Sequence, residues 1–322
     1  MLQGLLLCPG CMREFPIIDG IPVIVPDVRT YIQASALQIH WRDDLPSALA
    51  SLIGDCCGSG SAYEITRYYL STYAWGHYHD LDPEEPSDAP PSLLGALDAA
   101  LDAAGPIPSG LVLDLGCSVG RSSMHLAAKT DNPVLGLDLN FSMLRTARRA
   151  ARGEVLYPLR RGGLVYNQRR FPVSIPGADR VDYWAADATC LPLAAGRFSA
   201  VSSLNLLDCV GSPYDHLSEI SRVLAEGGRA WVGCPYDWSS SATEPGYWLG
   251  GHSQRTPLGG DSPAMLRSLL TPGALPHSLD RLHILAELEG VPWTVRLHDR
   301  SRMLYDLHLV VATARSSAQT HG

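Results

Sequence analysis

Short apolar runs separated by amphipathic segments occupy the chain after about residue 90. This alternation is typical of strands joined by helices. The apolar runs predict strands at 111–115, 133–137, 181–185, 199–204 and 229–233, and the amphipathic segments predict helices at 93–104, 124–129 and 214–224. We interpret 282–289 as the end of a further helix, and 293–298 and 304–314 as a closing antiparallel hairpin. Together these elements predict an α/β, Rossmann-like fold with a seven-stranded sheet.

The first 90 residues carry a different pattern. Two short strands flank a turn at Asp19-Gly20, and helices are predicted at 31–41, 46–53 and 62–75. Four prolines among acidic residues at 80–91 indicate a linker. The chain is therefore expected to divide into a hairpin region at 1–28, a helical lid or linker region at 29–90 and a main domain at 91–315.

Two stretches are candidates for closing over a site. An insert at 152–180 is longer than an ordinary crossover, so we expect it to act as a lid or an interface. An aromatic cluster near residue 75 comprises Tyr68, Tyr69, Tyr73, Trp75, His77, Tyr78 and His79. Aromatic residues at helical spacing pack in a core more often than they line a pocket, and both roles stay open for this cluster.

A glycine-containing turn follows the first strand predicted in the main domain. Gly116 and Gly120 allow backbone N–H groups to approach a ligand, and Cys117 and Ser118 lie between them. A strand, a glycine turn and a helix place a ligand at the carboxyl end of the strand, near Asp114. Taken alone, such a turn also fits a dinucleotide.

Polar side chains follow each of the next three predicted strands. Asp138 lies eighteen residues after Gly120, where a carboxylate can hold ribose hydroxyls. Asp187-Ala188 is placed to meet a purine edge, and Asn205 follows the fourth strand. These positions predict a nucleoside-containing ligand along one edge of the sheet.

This order of motifs resembles the class I S-adenosylmethionine-dependent methyltransferases, over about residues 90–315. Ser118 stands in place of the middle glycine of the family's Gly-x-Gly-x-Gly turn, and a small residue still fits there. The resemblance implies an enzyme that uses S-adenosylmethionine. It implies cofactor contacts from Asp114, Gly116, Cys117, Ser118, Gly120, Asp138, Leu139, Asp187, Ala188 and Asn205.

In such enzymes the residues beyond the fourth strand face the methyl acceptor, and here they are Asn205-Leu-Leu-Asp208. This pattern resembles the histidine-methylating branch: carnosine N-methyltransferase, a protein-histidine methyltransferase and the methyltransferase domain of the ovothiol-forming enzyme. Segments 234–238, 243–251 and 291–296 resemble further motifs of the ovothiol-type domain. The resemblance implies methylation of an imidazole nitrogen. The acceptor would be a thiol- or selenol-bearing histidine derivative or a peptide histidine.

An imidazole acceptor also suits these residues chemically. An amide or carboxylate bonded to the ring N–H leaves the lone pair of the other nitrogen free for attack. We therefore expect Asn205 and Asp208 to be catalytic, and Asn205, Tyr236 and Tyr305 to contact the substrate. Each has a structural alternative, because Asn205 can cap its strand, Asp208 can begin a helix and the tyrosines can pack in the core.

Two other functions stay open at this point. The first is a methyltransferase of another small natural product, quinone-like or phenolic. The second is a non-catalytic S-adenosylmethionine-binding adaptor that recruits a partner through its N-terminal region. The acidic residues near the ends of the first three strands argue against the adaptor.

Cys8-Pro-Gly-Cys11 has the spacing of a knuckle that coordinates zinc, and the short hairpin follows it. The segment resembles the second half of a methyltransferase-associated zinc ribbon. A structural zinc site needs four ligands, and before the main domain only Cys56 and Cys57 are further cysteines. The alternatives are a zinc-loaded ribbon and a metal-free hairpin that serves packing. No catalytic metal site is predicted.

Composition and charge narrow the class of partner. The net charge of −8 argues against broad contact with nucleic acid, and no apolar run is long enough to span a membrane. Eight cysteines in 322 residues are interpreted as reduced thiols. We therefore expect a cytoplasmic enzyme that acts on a small molecule or a peptide.

Overall fold

A seven-stranded sheet forms the centre of the computed structural model, which describes residues 2–84 and 91–315. The strands are β1 (Gly4–Leu7), β2 (Glu14–Ile18), β3 (Ile21–Pro22), β4 (Leu111–Leu115), β5 (Val134–Asp138), β6 (Glu154–Gly162), β7 (Val165–Pro172), β8 (Val181–Ala185), β9 (Phe198–Leu204), β10 (Leu224–Cys234), β11 (Leu282–His298) and β12 (Ser301–Ala314). The α-helices are α1 (Val28–Ala34), α2 (Ala36–Ile39), α3 (Ser47–Cys57), α4 (Ala62–Tyr78), α5 (Ser92–Ala104), α6 (Arg121–Thr130), α7 (Phe141–Ala151), α8 (Pro213–Val223) and α9 (Ser262–Leu269). Within this part of the chain, no helix has the length and apolar character needed to cross a bilayer.

The strand order β11-β12-β10-β9-β4-β5-β8 confirms the predicted α/β sheet. Strands β10, β9, β4, β5 and β8 are parallel, and β12 lies antiparallel between β10 and β11. The chain moves outward from β4 to β5 and β8, and then crosses back to β9 on the other side of β4. Such a reversal opens a crevice at the carboxyl ends of the two central strands.

Apolar side chains cover both faces of this sheet, as parallel strands require. Val112 and Leu113 are neighbours in β4 and belong to different core clusters, because successive side chains point to opposite faces. Helices α5 and α6 pack in the cluster of Val112, and α8 and α9 in that of Leu113. Full burial of one large aliphatic or aromatic side chain contributes roughly 1.5–3 kcal/mol, so the two clusters are a main source of stability.

The prediction of a helix end at 282–289 is wrong, because β11 begins at Leu282. In this stretch Ala286 and Leu288 pack in a core cluster, while Glu287 and Glu289 point outward. The period is two, and the strand pairs with β12 along its length. Pairing with a long neighbouring strand overrides the helix preference of Leu, Ala and Glu.

The predicted hairpin around Asp19-Gly20 is confirmed as β2 and β3, and β1 adds a third strand to it. Val23 continues from this small sheet and bridges Ala185 at the end of β8, where Ile24 N–H donates to the Ala185 carbonyl at 2.8 Å. The N-terminal region therefore covers part of the exposed edge of the main sheet, which would otherwise present unpaired backbone groups.

The insert at 152–180 forms the β6–β7 hairpin, which packs on α4. Arg169 of this hairpin is buried and donates to Asp82 at 2.8 Å through its Nε, with a further contact to Glu84. Asp82 lies in the stretch predicted as a linker, so the start of that stretch is fixed to the hairpin. Residues 85–90, the rest of the predicted linker, lie outside the described residues.

Asp114 joins β4 to α6. Its Oδ2 accepts hydrogen bonds from Ser122 Oγ at 2.6 Å and Ser123 Oγ at 2.7 Å. The carboxyl is buried, and burial raises its pKa to about 6, although the two serine hydroxyls favour the charged form. A strand end and the following helix are thereby held together by a buried acid.

The Arg169–Asp82 pair gives a stability prediction. Arg169→Met leaves a buried carboxylate without its cation, and we expect the free energy of unfolding to fall by about 3–5 kcal/mol. Arg170→Met is the matched control, because Arg170 is more than half exposed and its ion pair contributes less than ~1 kcal/mol. Urea titrations of both variants test this, and equal losses would contradict a structural role for the buried pair.

The raised pKa of Asp114 gives a pH prediction. Below about pH 4 the carboxyl is neutral in the folded and unfolded chain, whereas above about pH 6 the folded protein must hold a buried charge. Relative to Asp114→Asn, the wild type should therefore lose roughly 2–3 kcal/mol of stability as pH rises from 4 to 7. Denaturant titrations of both proteins at several pH values measure the difference. A constant or growing wild-type advantage would show that the acid is not destabilised by burial.

Candidate functional site

A cavity of about 540 Å³ lies in the crevice at the carboxyl ends of β4, β5 and β9. This volume lies within the range of small-molecule and cofactor pockets. The cavity brings together seven residues that the sequence predicts as cofactor contacts: Gly116, Ser118, Asp138, Leu139, Asp187, Ala188 and Asn205. We call it the cofactor cavity.

The turn after β4 forms one wall of the cofactor cavity. Gly116 has a φ of 69°, and a Cβ there would lie 3.0 to 3.3 Å from the Leu206 side chain. Ser118 also adopts a left-handed conformation, with a φ of 52°, and its N–H donates to Asp138 Oδ2 at 2.9 Å. The turn is therefore tight at Gly116 and is tied to the end of β5 by a carboxylate.

Asp138 accepts a second hydrogen bond, from Asn140 N–H to Oδ1 at 2.7 Å. Burial raises its pKa, while the backbone donors of Asn140 and Ser118 oppose the rise. Each oxygen has accepted one bond and keeps a lone pair. The carboxylate is thus fixed in place and can still accept from a pair of ribose hydroxyls.

The opposite end of the cofactor cavity suits a purine. Asp187 accepts from Thr189 N–H at 2.8 Å and from Thr189 Oγ1 at 2.7 Å, and both bonds use Oδ1. Oδ2 can accept from an exocyclic amine. Leu206 and Val210 line the same cavity and offer apolar contacts to a flat ring.

Three predicted cofactor residues do not line the cavity. Asp114 is turned to the serines of α6, and Cys117 is fully buried in the core beneath the turn, where burial raises its pKa. Gly120 has a φ of 85° and begins α6, and a Cβ there would come within 2.6 Å of Ala147 and Tyr183. These residues support the turn on the side away from the cavity. The spacing of residues in the sequence does not distinguish this supporting role from direct contact with a ligand.

A second cavity of about 200 Å³ adjoins the first and shares Tyr69, Tyr73, Asn205 and Cys209 with it. We call it the acceptor chamber. Helix α4 forms one wall, and strands β11 and β12 form the other. Further residues that line it are Tyr68, Thr72, His77, Asp208, Pro235, Asp237, Trp293, Thr294, Met303 and Tyr305.

The aromatic cluster of α4 divides between the two roles left open by its sequence. Tyr68, Tyr69, Tyr73 and His77 line the acceptor chamber. Tyr78 instead is fully buried and its hydroxyl donates to the Val119 carbonyl. The contribution of Trp293, Met303 and Asp237 was not predicted, because it depends on how the β11–β12 hairpin and the turn after β10 lie against α4.

Asn205 lies where the two cavities meet. Its backbone N–H donates to the Gly233 carbonyl at 2.8 Å, and a φ of 52° turns the residue out of β9. The side-chain Oδ1 is buried and has no hydrogen-bond partner within residues 2–84 and 91–315. A buried acceptor without a donor costs about 1–3 kcal/mol, so this oxygen is set to receive a hydrogen bond from a ligand.

Asp208 lies beside Asn205 on the floor of the acceptor chamber. Its Oδ2 accepts from Asp237 N–H at 2.8 Å, and the Cys209 thiol points to Oδ1 at 3.6 Å. Burial raises the pKa of the Asp208 carboxyl, which favours its role as a proton acceptor. Burial and the neighbouring carboxylate raise the pKa of Cys209 to about 12, so its thiol stays neutral.

The two predicted substrate tyrosines have different positions. Tyr305 lines the chamber, and its hydroxyl donates to Asp237 Oδ2 at 2.7 Å. The Tyr236 hydroxyl is 2.7 Å from His308 Nδ1, and His308 Nε2 is 3.0 Å from Glu287. Tyr236 is not among the lining residues of either cavity. It anchors the turn that carries Asp237.

The cysteine pair at the N-terminus has no further ligands in the structure. Cys8 and Cys11 lie in the turn between β1 and β2. Throughout the described residues, no group of three or more His, Cys, Asp or Glu side chains is placed to hold a metal. The four-ligand ribbon implied by the resemblance is therefore not formed by this part of the chain.

Comparisons with known proteins agree with this geometry. Residues 113–232 match the family described as a methyltransferase domain. Methyltransferase GfsG of Streptomyces halstedii is 30% identical over 118 residues, which cover 37% of this chain and 35% of that protein. Demethylmenaquinone methyltransferase of Clavibacter sepedonicus is 32% identical over 131 residues, with coverages of 41% and 43%. The chain thus spans less than half the length of these relatives.

Solved methyltransferases also align with this chain. A SAM-dependent methyltransferase of Methanosarcina mazei gives a TM-score of 0.41 at 20% identity, covering 64% of this chain and 93% of that structure. The strand order, the cavity at the switch point and the matched family model concern the same segment. Residues 113–232 therefore match a methyltransferase domain and form the central part of a sheet with the Rossmann-like fold of class I methyltransferases.

Proposed function

We propose that the protein is an S-adenosylmethionine-dependent N-methyltransferase that acts on an imidazole nitrogen of a histidine derivative. One observation carries the proposal: the buried Asn205 Oδ1 has no donor among the described residues and lies between the cofactor cavity and the acceptor chamber. An oxygen in this position selects an acceptor that carries an N–H.

The residues of the cofactor cavity fit S-adenosylmethionine, whose sulfonium supplies an activated methyl group. Gly116 permits close approach to the turn after β4, Asp138 accepts from the ribose hydroxyls and Asp187 Oδ2 accepts from the adenine amino group. The protein then contributes mainly alignment of the acceptor with the methyl carbon, which can supply a large part of the rate.

The acceptor chamber fits a planar ring held by its N–H. An imidazole N–H that donates to Asn205 Oδ1 is fixed as one tautomer, and the lone pair of the second nitrogen is free to attack. Methylation of the second nitrogen leaves an imidazolium whose one N–H is the proton bonded to Asn205. Asp208, whose pKa is raised by burial, can accept that proton as the product becomes neutral. The tyrosines of α4 and Trp293 offer aromatic faces to the ring.

A phenolic or quinone-like acceptor is the second candidate. The name of the Clavibacter relative and the aromatic walls of the chamber favour it. Such an acceptor leaves the Asn205 oxygen without a donor once the hydroxyl has lost its proton. The imidazole satisfies that oxygen and is therefore the first candidate.

Substitution of Asn205 tests the proposal. We expect Asn205→Ala and Asn205→Gly to reduce kcat/KM for imidazole acceptors by at least about 100-fold, because the ring loses its orienting bond. The Kd for S-adenosylhomocysteine should change by less than about threefold, or ~0.7 kcal/mol. Calorimetry and a methyl-transfer assay measure the two quantities.

The two Asn205 variants distinguish the effect of losing the side-chain amide from the effect of backbone strain. Glycine accepts the left-handed φ, whereas alanine adds about 1–2 kcal/mol of strain. Asn167→Ala, on the exposed side of β7, should preserve both binding and turnover. Active Asn205→Gly would overturn the role of the amide, and equal loss of cofactor binding would place Asn205 in the cofactor cavity alone.

The cofactor assignment has its own test. Wild-type protein should bind S-adenosylhomocysteine and not NAD, as measured by calorimetry. Asp138→Asn replaces one acceptor oxygen by a donor opposite Ser118 or Asn140 N–H, so affinity should fall at least about tenfold. The exposed Asp102→Asn is the control and should bind normally. Tight binding of NAD would reject a methyl donor in this cavity.

A further inference from the structure

We propose that the acceptor is a carboxylate-free imidazole that carries a cationic amine, because the described residues that line the acceptor chamber offer two carboxylates and aromatic faces but no arginine or lysine. This inference rests on the proposed function and names the class of substrate within it. In chemical terms it describes a decarboxylated histidine derivative, an imidazolyl-alkylamine.

The charged groups that line the chamber all have one sign. Asp208 and Asp237 are the acidic members, and no arginine or lysine is among the described lining residues. His77 is the basic candidate, but it is buried, and burial together with the nearby Arg121 lowers its pKa to about 3. At neutral pH His77 is uncharged, so the chamber has a negative potential.

Arginines near the chamber are directed to other groups. Arg160 contacts the Tyr68 ring and donates from Nε to the Gly163 carbonyl at 2.9 Å. Arg121 pairs with Asp80 at 3.1 Å, and Arg302 lies over the Trp75 ring. Arg121 keeps a buried Nη1 without a partner within residues 2–84 and 91–315, but none of these arginines is among the described residues that line the chamber.

A carboxylate inside this chamber would be strongly disfavoured. It would lose hydration without gaining a cation, at a cost of several kcal/mol, and would lie near two acidic side chains. An ammonium group meets the opposite situation. Asp237 accepts from Tyr305 through Oδ2, which leaves Oδ1 for the ammonium, and tyrosine faces attract a cation further.

The same geometry separates the two ends of such a substrate. The imidazole N–H is held at Asn205 on the cofactor side, whereas Asp237 and Tyr305 lie on the side of β12. A cavity of about 200 Å³ between α4 and the β11–β12 strands suits a molecule of one ring and a short chain. A small amine therefore fits better than a histidine within a polypeptide.

A series of acceptors that differ only in the side chain of the imidazole tests this inference. The compounds are 4-(2-aminoethyl)imidazole, 4-methylimidazole, N-acetyl-histidine methylamide, histidine and imidazole-4-propionate, each assayed with full-length protein and S-adenosylmethionine. We expect kcat/KM to be highest for the amine, lower for the neutral compounds, lower again for histidine, and at least 100-fold below the amine for the propionate.

Each other outcome has a defined meaning. If histidine or the propionate matches the amine, the charge inference is overturned while the imidazole proposal survives. If the blocked histidine is the best acceptor, a peptide substrate replaces the small amine. If no imidazole is methylated and a phenol is, the proposed function itself fails.

A variant localises the effect. Asp237→Asn keeps an oxygen for the Tyr305 hydroxyl and the backbone N–H for Asp208, but removes the charge. The preference for the amine over 4-methylimidazole should fall at least tenfold. Asp306→Asn, one residue from Tyr305 and exposed, should retain the wild-type preference. An unchanged ratio in Asp237→Asn would overturn the assignment of Asp237 as the ammonium site.

Discussion

The hydrogen bonds of Asp138 hold the cofactor cavity together. The carboxylate comes from the end of β5 and accepts from Ser118 N–H in the turn after β4 and from Asn140 N–H ahead of α7. Three consecutive parts of the fold thus meet at one buried acid. Because Ser118 is held in the left-handed region, the turn needs this bond to stay in place. The arrangement keeps the Gly116 backbone close to the cavity and the acid pointed into it.

Local pattern in the sequence was sufficient to predict the cofactor half of the molecule. Parallel strands buried on both faces leave continuous apolar runs, and their carboxyl ends must meet along one edge. Seven of the ten predicted cofactor residues therefore line one cavity. Asp114, Cys117 and Gly120 do not, because Asp114 is turned to the serines of α6, Cys117 is buried in the core and Gly120 caps α6. The spacing of residues does not show which of the ten face the ligand.

The lining of the acceptor chamber could be predicted only in part, because it depends on contacts between segments that are distant in the sequence. The antiparallel pairing of 293–298 with 304–314 was predicted and is confirmed, but the start of β11 was predicted as a helix. The position of Trp293 and Thr294 in the chamber wall was not predicted. Tyr236 follows β10 directly, yet a φ of 57° turns it to His308 and away from both cavities. The direction of a side chain after a strand is set by such backbone turns, and a residue pattern carries no signal for them.

The match to the methyltransferase domain leaves out most of the residues that form the walls of the acceptor chamber. Residues 113–232 supply most of the lining of the cofactor cavity, apart from Tyr69, Tyr73 and Ala242, and include the floor residues Asn205 and Asp208. The walls come from α4, which precedes this segment, and from β11 and β12, which follow it. A family match of this extent carries information about the cofactor cavity, but not about the walls of the acceptor chamber. Among the features that give the chamber its charge and shape, Asp208 lies inside the matched region, whereas Asp237, His77 and the aromatic walls lie outside it. The electrostatic potential inside the chamber therefore depends in large part on side chains outside the region that the family model matches.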